Sequence, residues 1–308
     1  MTRLIALGEC MVEMVQQPDG LYKRVYGGDS FNMAYYCAWI GAAYGVTVSY
    51  ATALGTDKFG RAMIPQWEKD GIDTSLVQIC DTKNTGLYFA DTDRNGQRDY
   101  VMYRSDSAAK KMFRLPGSAA WADKLLDCDM LYASAISLMI LNDEDRERLV
   151  HLFEAARRQN IRTAFDTNYR PSGWKNTDEA ALWMNKIMKH ADIVLPTDDE
   201  NCAVFGDTSA QETLDRLRTL GVPEIAVKCG AQGCMVNGMR VPSLPGIAVV
   251  DTTSAGDSFN AAYLCARLNG LEPEKAALWG HRMAAEVIQH RGALIPRDQL
   301  DINSLFPA

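Results

Sequence analysis

The residues best placed to do chemistry lie in VVDTTSAGDSFNAAYL, residues Val249–Leu264. A hydrophobic run, IAVVD, reads as a strand ending at Asp251, and a turn of small residues then leads through Gly256 into a helical pattern. Small residues let backbone N–H groups approach a ligand closely, and a helix start favours an anion such as phosphate. Asp257 lies at that anion site. A carboxylate there is electrostatically awkward if it only caps a helix, but it has a use if it accepts a proton from a hydroxyl attacking the phosphate. No Gly-Lys-Ser/Thr follows the glycine, so the turn is not a Walker A loop.

The same letters occur near the other end of the chain. GDSFNMAYYCA at Gly28–Ala38 and GDSFNAAYLCA at Gly256–Ala266 differ only at Met33/Ala261 and Tyr36/Leu264. One reading is a pair of helix starts in which Asp and Ser satisfy unpaired N–H groups. A second is two parts of one site. A whole-unit duplication is the weaker explanation, because the likeness does not extend into the flanks as repeat architectures require.

Composition narrows the field. The 308 residues are 47% hydrophobic and 23% charged, enough to bury a sizeable core in one large domain or two small ones. A net charge of −7 argues against a general nucleic-acid or acidic-membrane partner, which needs a basic face. The eight cysteines are scattered without a C-x-x-C pair and read as reduced, buried thiols. His151, His190, His281 and His290 show no zinc-ligand spacing. Glu9 and Glu13 interrupt the first apolar run, so it makes a poor signal peptide, and no stretch has the length of a membrane helix. The expected location is the cytoplasm.

Elements must bring such residues together. LIALG reads as a first strand, and VEMVQQPDGLYKRVY as two extended arms around the turn Pro18-Asp19-Gly20. GLYFADTDRNGQRDYVMYR reads as a second hairpin with Asn95-Gly96 at its turn. From about Asp129 strands and helices alternate: MLYAS, then the amphipathic NDEDRERLVHLFEAARRQ, then RTAFD, DIVLP and EIAVK with helices between. That alternation calls for an α/β fold, a mainly parallel sheet with helices on both faces. No Gly/Ser- or Pro-rich linker divides the chain. The expectation is one domain, 1–308, with a small β lid built from about 11–27 and 85–105.

DTTSAGDSFNAAYL and GGDSFNMAYYCAWIGA resemble the C-terminal and N-terminal signatures of the ribokinase-like (PfkB) carbohydrate kinases, and VKCGAQGC resembles their nucleotide loop. The resemblance runs in order from the first strand to about residue 295. It implies a ribokinase-like fold, ATP with Mg²⁺, and Asp257 as the base that deprotonates the acceptor hydroxyl. Backbone amides of Ser254, Ala255, Gly256 and Asp257 would form the anion hole. Gly28, Asp29, Ser30, Phe31 and Asn32 would line the sugar side, so that two helix starts face each other across one substrate. Lys228, Gly230 and Gly233, with Asn168 nearby, would serve the nucleotide. Many relatives carry Asn-x-x-Glu for the metal's water shell; here the segment reads Thr197-Asp198-Asp199-Glu200, which keeps Glu200 as an indirect metal contact and departs at Thr197. Asp251, Thr253 and Arg291-Gly292 match the region where some relatives bind a monovalent cation.

Within the family, ALGECMVEM, GLYFAD, YVMYR and DTNYRPSGW resemble the kinases of 2-keto-3-deoxygluconate. That implies sugar-acid contacts from Tyr88, Met102, Tyr103, Arg104 and Arg170. A carboxylate gives an arginine a bidentate, charge-assisted partner that a neutral sugar lacks. The alternative substrate is a neutral ketose such as fructose. A non-catalytic sugar- or nucleotide-sensing module is the alternative of another class, and an intact Asp257 in an intact loop argues against it. An NAD enzyme lacks its G-x-G-x-x-G after the first strand. The expected partners are the sugar acid and ATP, with a homo-oligomer through the lid.

Overall fold

The computed structural model describes residues 1–17, 19–92 and 98–306. Pro18 of the first expected turn and Asn95-Gly96 of the second lie outside the described residues.

Strands Glu224–Lys228, Ile193–Leu195, Arg162–Asp166, Met130–Ser134, Thr2–Leu7 and Val46–Gly55 lie side by side in that order, all parallel. Strands Ile72–Asp73 and Val77–Cys80 pair with Val46–Gly55, and the antiparallel Cys234–Val236 and Met239–Val241 extend the other edge. Side chains alternate across each strand with period two. Leu4 and Ala6 therefore join one apolar cluster with the helices Asp29–Tyr44 and Ala255–Leu268, while Ile5 and Leu7 join a second with Asp143–Arg158 and Thr177–Met188. The sheet is buried on both faces, which is why its strands read as unbroken apolar runs.

The arms of the two hairpins form one separate sheet, in the order Tyr22–Gly27, Met11–Gln16, Leu87–Thr92, Arg98–Tyr103. Its register puts Glu13 opposite both Val25 and Tyr88, and Tyr88 opposite Met102, on one face. The chain passes from the main sheet into this one through Gly8-Glu9-Cys10 and returns into the helix Asp29–Tyr44.

One expected strand is absent. IAVVD, residues 247–251, pairs with no strand; Val249 and Val250 are 60% and 54% exposed. The N–H groups of Val250 and Asp251 donate instead to the carbonyl of Ile288, at the end of the helix Pro273–Val287. Held to that helix end, the apolar run lines a crevice instead of entering the sheet. The cysteines are free, and Cys202 is exposed rather than buried. Among the described residues no helix is long and apolar enough to cross a membrane.

Candidate active site

The parallel strands end at one rim, and their order reverses between Thr2–Leu7 and Met130–Ser134, the switch point where open α/β sheets bind ligands. A crevice of about 2890 Å³ opens there, under the small sheet. The helix Asp29–Tyr44 starts against the rim because Gly28 allows it: a Cβ at Gly28 would stand 2.1 Å from the carbonyl oxygen of Glu9. Neither helix start uses a side-chain cap. The aspartates of the two repeated phrases have other partners.

Asn32 donates to Oδ2 of Asp257 at 2.9 Å, so the first phrase grips the carboxylate of the second. Ser254 donates to the same oxygen at 3.0 Å. Asn168 donates to Asp29 at 2.9 Å. Asn260, the counterpart of Asn32, donates to Asp166 at 2.8 Å, and Lys228 spans Asp166 and Asn260 at 2.9 and 3.1 Å. The strand end Asp166-Thr167-Asn168 thus ties both helix starts together.

Three buried carboxylates, Asp29, Asp166 and Asp257, share this pocket. Burial, then the charge of Asp29 and that of Asp166, push the Asp257 carboxyl up to about 7, against hydrogen bonds from Asn32 and Ser254 that favour the ionised form. Burial likewise raises Asp29. A carboxylate titrating near neutrality can take a proton and give it up again at working pH.

Of the four backbone N–H groups expected to receive an anion before and at Asp257, one is already engaged. Ala255 gives its N–H to the carbonyl of Thr252 at 3.2 Å, whereas the N–H groups of Gly256 and Asp257 have no acceptor among the described residues. Lys228 approaches this turn, its Nζ 3.7 Å from where a Cβ on Gly256 would lie. It does so already paired to Asp166. Gly233 closes the hairpin after Glu224–Lys228 with φ 94, and a Cβ there would stand 2.2 Å from the carbonyl oxygen of Val241. Gly230 lines the crevice at φ 53.

Of the residues expected to hold the substrates, Gly28, Asp29, Phe31, Asn32, Tyr88, Met102, Arg104, Asn168 and Arg170 all line the crevice. Two expected residues do not. Ser30 turns into the core, 3.0 Å from the hydroxyl of Tyr50, because each helix residue is turned by about 100° from the one before it and this one faces away from the crevice. Tyr103 pairs with Leu87 on the outer face of the small sheet and meets the ring of Phe89, leaving it 62% exposed. Strand alternation brings Tyr100 to the crevice instead, its ring 6.1 Å from that of Tyr88.

Both arginines hold a glutamate. Arg104 donates from Nε to Oε2 of Glu9 at 2.8 Å, with Nη2 2.5 Å away, and Glu9 is only 1% exposed. Arg170 meets Glu200 at 3.1 Å, and Glu200 also receives the hydroxyl of Thr167 at 3.5 Å. Burial and the charge of Asp166 raise the Glu200 carboxyl, with Lys228 and Arg170 opposing. Thr197 begins the helix Asp198–Phe205 without a side-chain cap bond. Asp251 is occupied by Thr253 and by the N–H of Gly292, at 2.7 and 2.9 Å.

Reasoning from the sequence missed Glu9, Asp166 and Asn260. The available signals were a glutamate directly after a strand-ending glycine, an aspartate ending RTAFD, and an asparagine repeating the place of Asn32.

Residues 1–300 match the pattern of the pfkB family carbohydrate kinases. The chain belongs to the pfkB family. Within the family it is 39% identical over 305 residues to the 2-dehydro-3-deoxygluconokinase of Escherichia coli K12, covering 97% of this chain and 98% of that one. The 2-dehydro-3-deoxygluconokinase of Dickeya dadantii is also 39% identical, over 307 residues, with 97% and 99% covered. Among solved structures, the 2-dehydro-3-deoxygluconokinase of Thermotoga maritima superposes with a TM-score of 0.85 over 99% of this chain and 98% of that one. At 19% identity that likeness shows the shared fold. This pfkB member is a carbohydrate kinase with a ribokinase-like α/β fold, and kinase membership implies ATP as the phosphoryl donor.

Proposed function

We propose that this pfkB kinase transfers the γ-phosphoryl group of ATP to the terminal (C6) hydroxyl of 2-keto-3-deoxy-D-gluconate, giving 2-keto-3-deoxy-6-phosphogluconate and ADP. The observation that carries the reading is Asp257, a buried carboxyl at about 7 beside two backbone N–H groups with no acceptor among the described residues, in one crevice with Arg104 and Arg170. The relatives named 2-dehydro-3-deoxygluconokinase support the substrate.

The sugar acid lies between the first helix start and the small sheet. Asp29 Oδ1 and Asn32 Oδ1 are buried acceptors with no partner among the described residues, suited to sugar hydroxyls. Arg104 and Arg170 take the carboxylate with the guanidinium edges that Glu9 and Glu200 leave open. Asp257 accepts the proton of the attacking hydroxyl as its oxygen forms a bond to the γ-phosphorus. The bond to the β,γ-bridging oxygen breaks, and the N–H groups of Gly256 and Asp257 stabilise the negative charge on the transferring group.

The nucleotide side runs past Lys228, Gly230 and Gly233 to an apolar wall of Val249, Val250 and Ile288, which suits a flat base. Magnesium supplies charge neutralisation for the phosphates. Glu200 lines the crevice and would meet the ion through water, a fit for an ion that keeps most of its shell. Among the described residues no cluster of three acidic, histidine or cysteine ligands forms, so phosphate oxygens and water would complete the coordination.

The test is ADP release from Mg-ATP with 2-keto-3-deoxygluconate beside fructose, ribose and gluconate. Preference for the keto-deoxy acid supports the reading. Preference for fructose keeps the kinase and removes the carboxylate.

A further inference from the structure

Ser254 stands in the left-handed region, φ 65, immediately before the helix Ala255–Leu268. Residues bearing a Cβ occupy that region at a cost, and glycine would sit there unstrained. What a glycine could not supply is the hydroxyl, which donates to Oδ2 of Asp257 at 3.0 Å. The amide of Asn32 reaches the same oxygen from the opposite helix start. Oδ1 receives no donor among the described residues, and Asp257 lines the crevice.

We infer that Ser254 is a positioning residue for the base: its hydroxyl, together with the Asn32 amide, fixes Oδ2 and leaves Oδ1 as the atom that takes the substrate's proton. The inference rests on the reading of Asp257 as the base. Two donors on one oxygen set the rotation of the carboxylate and stabilise its ionised form. They oppose the carboxylates that face it, Asp29 from the first helix and Asp166 from the strand end. Tyr36, Tyr132 and Arg170 also feel the Asp257 charge, and Lys228 stands behind it on Asp166. A serine held where glycine fits better is explained by this one hydrogen bond.

The experiment compares Ser254→Gly, Ser254→Ala and Asp257→Asn with the parent enzyme, reading kcat/KM against pH and the melting temperature of each. Ser254→Gly suits the backbone and should fold. The expected result is an acid limb moved up by about half to one pH unit in both serine variants, as a carboxylate losing one hydrogen bond holds its proton more tightly. KM for ATP should stay within about twofold, because the backbone N–H groups remain in place. An acid limb that stays put in Ser254→Gly overturns the inference. So does a change confined to Ser254→Ala, since that would trace to backbone strain. Near-normal turnover by Asp257→Asn would remove the base reading itself, a different failure.

Discussion

Asn32 and Asp257 are 225 positions apart in the chain and 2.9 Å apart in the fold. Each belongs to one copy of the repeated phrase, so the two copies meet in one crevice, with the first helix start holding the carboxylate of the second. The amide of Asn32 and the carboxylate of Asp257 meet because both helices pack on the same face of the sheet and begin at the same rim.

Asp257→Asn should lower kcat by about 10²–10⁴-fold while calorimetry still detects ATP and sugar-acid binding. An amide keeps the shape and cannot take the proton. A rate within a few-fold of the parent would show that another group acts as base.

The same variant should change how stability depends on pH. The folded carboxyl sits at about 7 against 3.8 for an unperturbed aspartate. Between those values the folded protein keeps a proton that the unfolded chain has lost. The stability this group contributes is complete below the unfolded value and is lost as pH rises to about 7. Urea unfolding at pH 5 and pH 8 should therefore show a fall in the parent that Asp257→Asn reduces by about 1–3 kcal/mol. Equal slopes would mean that Asp257 is ionised in both states.

Asp29→Asn removes the charge that raises Asp257 most. Its acid limb in kcat/KM should move down by about one pH unit, opposite in sign to the serine variants. The position of the limb is the readout, whatever happens to its height.

Arg104→Ala should raise KM for the sugar acid about tenfold or more and also destabilise the fold by about 2–4 kcal/mol, because the buried Glu9 loses its counter-charge. Arg104→Ala with Glu9→Gln should recover most of the stability and none of the KM. Recovery of both would reduce Arg104 to a structural partner of Glu9.

Lys228→Met leaves Asp166 buried without its cation, at a cost of about 3–5 kcal/mol. Adding Asp166→Asn should restore the melting temperature. Any rise in KM for ATP that persists in the double variant measures what Lys228 does for the nucleotide directly.

Much of the site was legible in the letters. Apolar runs at strand spacing and amphipathic stretches between them determine an α/β sheet covered on both faces, because periodicity is a local property of the chain. Hairpin chemistry marked the two excursions that meet in the small sheet, and small residues before Asp257 marked a turn into a helix start that opens on the crevice. The direction in which a side chain points was beyond that reading wherever it depended on a neighbour far away in sequence. Tyr103 was expected in the crevice through the family resemblance, yet the strand turns it to the outer face, since a motif shows an aromatic but not which face of the strand looks inward. IAVVD reads as a buried strand, yet the N–H groups of Val250 and Asp251 go to Ile288, at the end of a helix further along the chain. Glu9 and Asp166 gave little sign of their roles, since a buried charge reveals itself only beside its partner. The sequence by itself determined the layers and the residues able to carry the chemistry. Only the tertiary structure decided which carboxylate is gripped by which donor, because those hydrogen bonds join strand ends and helix starts that are distant in the chain and neighbours only at the rim of the sheet.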